Sequence, residues 1–156
     1  MAEELIIPEG ATRKEIYKSL YPQLVALTNG EKDQIANMAN IVASIKESIN
    51  FLWVGFYRVV GDKLVLGPFQ GPVACTNIAF GKGVCGSAWK DEKTVIVPNV
   101  EEFPGHIACS AHSRSEIVVP VIKNNKVIAV LDIDSDELNS FSKDDAIWLQ
   151  NICSLL

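Results

Sequence analysis

Phe51-Leu52-Trp53-Val54-Gly55-Phe56-Tyr57 is the stretch on which the fold turns. Before it, apolar residues recur at helical spacing; from it onward, β-branched and aromatic residues dominate. Upstream, Thr12-Arg13-Lys14-Glu15 has the form of a capping box, with Thr at the N-cap and Glu three residues on. It predicts a helix over residues 12–27, stopped by Asn29-Gly30. A second helix is expected over residues 32–48. Its inward face is read as Ile35, Met38, Ala39, Val42, Ile45 and Ile49, spaced by threes and fours.

Downstream, Gly61-Asp62 is a turn, and Lys63-Leu64-Val65-Leu66 pairs back as a hairpin. Residues 74–80 offer a further strand. Gly81-Lys82-Gly83-Val84-Cys85-Gly86 reads as a glycine-rich loop, followed by a short helix over 87–91 and a brief strand over 94–97 ended by Pro98. Residues 99–113 show no period and are expected as one long loop, the kind of segment that often carries function. Strands over 116–122 and 127–134 flank the turn Asn124-Asn125. Ser142-Lys143-Asp144-Asp145 opens a last helix through Ala146, Ile147, Leu149, Ile152 and Cys153. Two helices, mostly hairpin-linked strands and a closing helix make an α+β pattern with an antiparallel sheet.

The chain's 156 residues suit one domain, 1–156, with 48% apolar residues to fill its core. That composition, with 21% charged residues, excludes disorder. A net charge of -5 gives no electrostatic footprint for nucleic acid. The uncharged residues following Leu64 are interrupted by Gly67, Pro68, Gly71 and Pro72, which argues against a membrane span. Met1-Ala2-Glu3-Glu4 lacks the basic and apolar regions of a signal peptide. A reducing, cytoplasmic compartment is therefore expected, where free thiols persist.

Four cysteines are present. Cys153 follows Leu149 by four on a helix and reads as core. Cys75, Cys85 and Cys109 lie near irregular or glycine-rich segments. Singly, each also fits as a small buried hydrophobe; together they suggest thiol redox chemistry, in which one thiolate attacks and a second resolves. A metal site through His106, Cys109 and His112 is disfavoured, because no cysteine pair has the short spacing of structural zinc sites. Asp132 and Asp134 alternate with Leu131 and Ile133, so both acids share one strand face. Crowding would raise one pKa and make a general acid. Glu116 can approach them across the hairpin. The plainer alternative is a solvated face running into Asp136 and Glu137. Trp53 and Tyr57 flank Gly55 on one face; they either leave a concavity for a small ligand or simply pack the core.

These motifs together resemble the free methionine-R-sulfoxide reductases, small enzymes built on a GAF domain. The resemblance rests on residues 50–57, on Leu66-Gly67-Pro68-Phe69-Gln70-Gly71, Ala74-Cys75 and residues 81–86. It continues through His106-Ile107-Ala108-Cys109, residues 115–120 and Val130-Leu131-Asp132-Ile133-Asp134-Ser135. It implies a GAF-like α+β fold, with about six antiparallel strands and the N-terminal and C-terminal helices packed on one face. It implies a homodimer, no cofactor and no metal. It also implies that Cys109 attacks the sulfur of free methionine-R-sulfoxide, leaving a sulfenic acid. A second cysteine, Cys85 first and Cys75 as the alternative, condenses with it, and thioredoxin reduces the resulting disulfide. Glu116, Asp132 and Asp134 correspond to pocket carboxylates, and Trp53 and Tyr57 to aromatic pocket positions. A GAF module that senses a ligand without chemistry is the alternative from another class; the loop cysteines argue against it.

Overall fold

The structure, a computed structural model, describes residues 4–156; the signal-peptide reading of Met1-Ala2-Glu3 lies outside them. Helices α1 (Arg13–Thr28) and α2 (Gln34–Ser48) come first. Thr12 and Glu15 form the expected reciprocal cap on α1, and Asp33 caps α2 by accepting from the amides of Ile35 and Ala36. The buried face of α2 is Met38, Ile41, Val42 and Ile45. Ile35 and Ala39 instead face outward, and Ile41, missing from the expected stripe, has taken their place. The true stripe is displaced around the helix by about one residue, as small differences in docking angle allow.

Strands β1 (Trp53–Val60) and β2 (Lys63–Gln70) form the expected hairpin. Only Asn77–Ala79 of the strand expected over 74–80 pairs, as β3. Helix α3 spans Gly83–Asp91, four residues earlier than its expected start, so Cys85 lies in its first turn rather than in a loop. Gly86 is what the glycine-rich reading misjudged. A Cβ there would stand 2.6 Å from the Ala79 carbonyl oxygen, so the glycine permits close packing rather than a flexible chain. Strand β4 (Val95–Val97) and a single 3-10 turn (Val100–Glu102) lead into the long loop. Strands β5 (Ser115–Lys123) and β6 (Lys126–Ser135) form the second hairpin. Its turn residues Asn124 and Asn125 have φ of 51° and 60°, the left-handed pair of a tight hairpin. Helix α4 (Lys143–Cys153) starts on Ser142, which shares a capping box with Asp145.

The six strands form one antiparallel sheet in the order β3-β2-β1-β6-β5-β4. The hairpins therefore meet along β1 and β6, which are central and carry the site. The edge strands β3 and β4 are three residues long and cover only part of their neighbours. Pro68 lies in the uncovered part of β2, and Pro120 in that of β5.

Each face of the sheet has its own core. On one, Phe56, Ile117, Val119, Leu131 and Ile133 pack under α1, α2 and α4. Cys153 is buried there, as expected, and its apolar surroundings push its thiol pKa up. On the other, Trp53, Tyr57, Val118 and Val130 pack beneath α3. The N-terminal and C-terminal helices thus share a face, while α3 occupies the opposite one.

Candidate active site

Strand pairing sets the positions of the charged groups. Asp134 stands opposite both Trp53 on β1 and Glu116 on β5, and Asp132 opposite Gly55 and Val118. Cross-strand partners point to the same face, so three acids and two aromatics converge beneath α3. They floor a cleft of about 520 Å³, measured with the open solvent at its mouth. Cys85 and Lys82 of the α3 segment, Ala74 and Val73 before β3, and His106, Ile107, Cys109 and Ser113 of the long loop complete its walls.

The acids are not on a solvated face. Glu116 is 6% exposed and Asp132 7%. Burial is the main cause pushing Glu116 well above the usual carboxylate range, and the charges of Asp132 and Asp134 add to it. Asp132 is pushed the same way by burial and by Asp134. Asp134 rises to about 6; burial raises it, while a hydrogen bond from the Ser113 hydroxyl opposes the rise. Asp132 keeps one oxygen, Oδ1, buried without a hydrogen-bond partner. The cluster thus retains protons near neutrality and has unspent capacity to accept hydrogen bonds. One ligand atom from each of Cys85, Glu116 and Asp132 lies within 4.8 Å of the others, close enough to share one cation.

The aromatic wall differs in detail from the expected concavity. The Trp53 indole folds over Gly55, where a Cβ would meet its ring at 2.3 Å. Glycine leaves room for the indole itself rather than for a ligand. The ring stacks on Tyr57, with centroids 5.9 Å apart, and on Phe69 at 5.4 Å. Phe69 was absent from the expected wall; its position opposite Gly55 on β2 puts it there.

The thiols are arranged differently from the first-choice pairing. Cys109 is disulfide-bonded to Cys75, with Cα atoms 5.4 Å apart, and not to Cys85. Cys85 is free and buried in α3. Burial and the negative charges of Asp132 and Glu116 push its thiol well above its usual value, which keeps it protonated and a poor nucleophile. The sequence placed Cys75 and Cys109 in irregular segments 34 residues apart, and only the fold brings them together. The trio His106, Cys109 and His112 does not form a ligand set. Cys109 is spent in the disulfide, His112 is exposed, and His106 lies 3.9 Å from Glu116. Burial lowers the His106 pKa, so it meets Glu116 as a neutral ring near pH 7. Ser113 was not singled out by the sequence, where its only signal is its place in an aperiodic loop; His106 was weighed there only as a metal ligand and as part of the segment leading to Cys109.

The GAF domain family matches residues 34–156 of the chain. The chain is 57% identical to GAF domain-containing protein A of Dictyostelium discoideum, over 100% of this chain and 99% of that protein. It is 41% identical to the free methionine-R-sulfoxide reductase of Escherichia coli, over 92% of this chain and 88% of that one. The X-ray structure of free methionine-R-sulfoxide reductase from Neisseria meningitidis, in complex with its substrate, superposes with a TM-score of 0.93 at 44% identity. That likeness covers 97% of this chain and 93% of the other.

Proposed function

The chain belongs to the GAF-domain family of free methionine-R-sulfoxide reductases, and from that premise we propose that it reduces free L-methionine-(R)-S-oxide to L-methionine. The observation that carries the reading is the Cys75–Cys109 disulfide on the wall of a cleft floored by three proton-holding acids. In this reading the disulfide is the oxidised end of the cycle.

The reaction starts from the two reduced thiols. The Cys109 thiolate attacks the sulfoxide sulfur, whose oxygen must gain a proton as the S–O bond breaks. A neutral carboxyl of the Glu116, Asp132 and Asp134 cluster supplies it. The protonated oxygen passes to the Cys109 sulfur as the transient bond between the two sulfurs breaks, so methionine leaves and Cys109 is a sulfenic acid. The Cys75 thiol then displaces that oxygen as water, forming the S–S bond. In total, one sulfoxide and two thiols give one thioether, one disulfide and one water. Cys75 takes the resolving role here. Cys85 stays protonated beside Asp132, as part of the same proton-sharing cluster.

The acids also account for a free amino acid as substrate. An ammonium within reach of Glu116 and Asp132 favours loss of one proton from the cluster and pairs with the carboxylate so formed, whereas a peptide-bound residue brings no ammonium to the site. Trp53 and Tyr57 offer an apolar wall for the S-methyl end. Thioredoxin is the proposed reductant of the disulfide, and a cytoplasmic homodimer acting under oxidative stress the proposed setting. Among the described residues, no helix is long and apolar enough to cross a membrane.

Incubation with racemic free methionine sulfoxide and dithiothreitol, followed by chiral chromatography, tests the reading. Loss of the R form alone, with stoichiometric methionine, is expected. No turnover, or equal loss of both forms, would overturn it.

A further inference from the structure

Residues 71–75 run between the end of β2 and the start of β3 without regular structure, and Val73 within them is 88% exposed. Among the described residues, two side chains supply the hydrogen bonds that hold this segment. The Trp53 indole N–H donates to the Pro72 carbonyl at 3.0 Å, and the Tyr57 hydroxyl donates to the Cys75 carbonyl at 3.0 Å. Both rings are deeply buried and stacked on each other, so both donors are fixed by β1. Gly71 adds to the fit, because a Cβ there would meet the Trp53 ring at 2.7 Å.

We propose that Trp53 and Tyr57 are positioning residues for Cys75: their two donors pin residues 72–75 and hold the Cys75 thiol within bonding reach of Cys109 when the disulfide is open. The physical reason is effective concentration. A thiol on a free surface segment samples many positions, and each encounter with Cys109 must restrict it again. A segment pinned on both sides of Ala74 has already lost that freedom. Once the disulfide forms, it holds the segment by itself. Loss of a donor therefore favours the open dithiol over the closed form. Burial above all, with the acidic groups beside it as a further cause, pushes the Tyr57 phenol well above its usual value, so it remains a donor throughout the working pH range.

The bearing on turnover rests on the reductase reading, where condensation of the Cys75 thiol with the Cys109 sulfenic acid releases water. The dithiol–disulfide equilibrium does not rest on it, and that equilibrium is the primary measurement. Wild type, Tyr57→Phe and Trp53→Phe are equilibrated in reduced and oxidised glutathione buffers, and the Cys75–Cys109 bond is quantified by thiol alkylation and mass spectrometry. Tyr57→Phe keeps the ring and deletes the donor. Its equilibrium constant for closing the disulfide should fall about three- to tenfold, as expected for one net hydrogen bond, where tenfold is about 30 mV for this two-electron couple. Trp53→Phe should shift it in the same direction. A constant unchanged in both variants, or moved toward closure, would overturn the proposal. Should one variant fail to fold, the other still decides.

A second arm uses the activity. With free methionine sulfoxide and dimedone present, the trapped fraction of Cys109 sulfenic acid should rise several-fold in Tyr57→Phe. If wild type forms no methionine at all, the reductase reading fails while the glutathione equilibrium still tests the positioning role.

Discussion

Strand β6 has two unlike faces. Leu131 and Ile133 are fully buried in an apolar core, and Asp132 and Asp134, one residue removed from each, floor a cleft with their charge suppressed. Both faces are buried, but burial acts on them in opposite directions. On the helix side it stabilises the fold, about 2 kcal/mol for each large aliphatic side chain. On the cleft side it works against charged carboxylates, and the fold carries that cost where chemistry needs it. The helix-side face belongs to stability and, in the proposed mechanism, the other to reactivity, although a two-residue period is all that separates them.

The largest expected effect on this contrast is Cys109→Ser. It should reduce methionine formation to background while leaving the melting temperature of the reduced protein within a few degrees of wild type. Normal turnover would remove Cys109 from the reaction. Next comes a matched pair on β6. Leu131→Ala should lower stability by about 2–5 kcal/mol in urea melts, through lost burial and the cavity left behind. Asp132→Asn should leave stability equal or higher, because it removes an ionisable group from an apolar site. Its kcat/KM should fall about 100-fold or more with the loss of a proton donor. Equal destabilisation by both changes would erase the distinction between the faces.

A smaller effect appears in the pH dependence of stability. Asp134 holds its proton more tightly in the fold, at about 6 against an ordinary 3.8. Its contribution therefore favours the fold below about pH 4 and is lost as pH rises through about 6. The loss should be about 1–3 kcal/mol. The other ionisable groups lining the cleft are Glu116 on β5, Asp132 on β6, Cys85 on α3, Tyr57 on β1, His106 and Lys82, with the Ser113 hydroxyl beside them. Glu116 and Asp132 shift in the same direction and extend the decline to higher pH. Urea melts from pH 4 to 7 should show wild type losing stability where Asp134→Asn shows a flatter profile. The smallest effect is expected from Ser113→Ala. It deletes the hydroxyl that favours the charged form of Asp134, so that carboxyl should titrate above its wild-type midpoint, read by carbon NMR.

Much of this was legible because it depends on local periodicity. Alternation in residues 130–135 put both acids on one face, and the same rule put Trp53 and Tyr57 together on β1. The hairpin at Asn124-Asn125 carried Glu116 to Asp134. What was not legible depends on close approach in three dimensions. Gly83 and Gly86 read as a loop, whereas Gly86 lets α3 pack against the Ala79 carbonyl and buries Cys85. Gly55 read as empty space, yet the neighbouring indole fills it. The partner of Cys109 was misread: Cys85 was placed ahead of Cys75, and the choice is made for Cys75 by the path of residues 71–75 and the long loop.

The two short edge strands have a consequence for how this molecule meets copies of itself. An open sheet can grow by adding a foreign strand wherever a row of amides is left unpaired. Here β3 and β4 occupy part of each border, and Pro68 and Pro120 sit in what remains. Proline offers no N–H to an incoming strand and interrupts the row. Neither border is a ready template for runaway polymerisation, and the sheet is held at six strands.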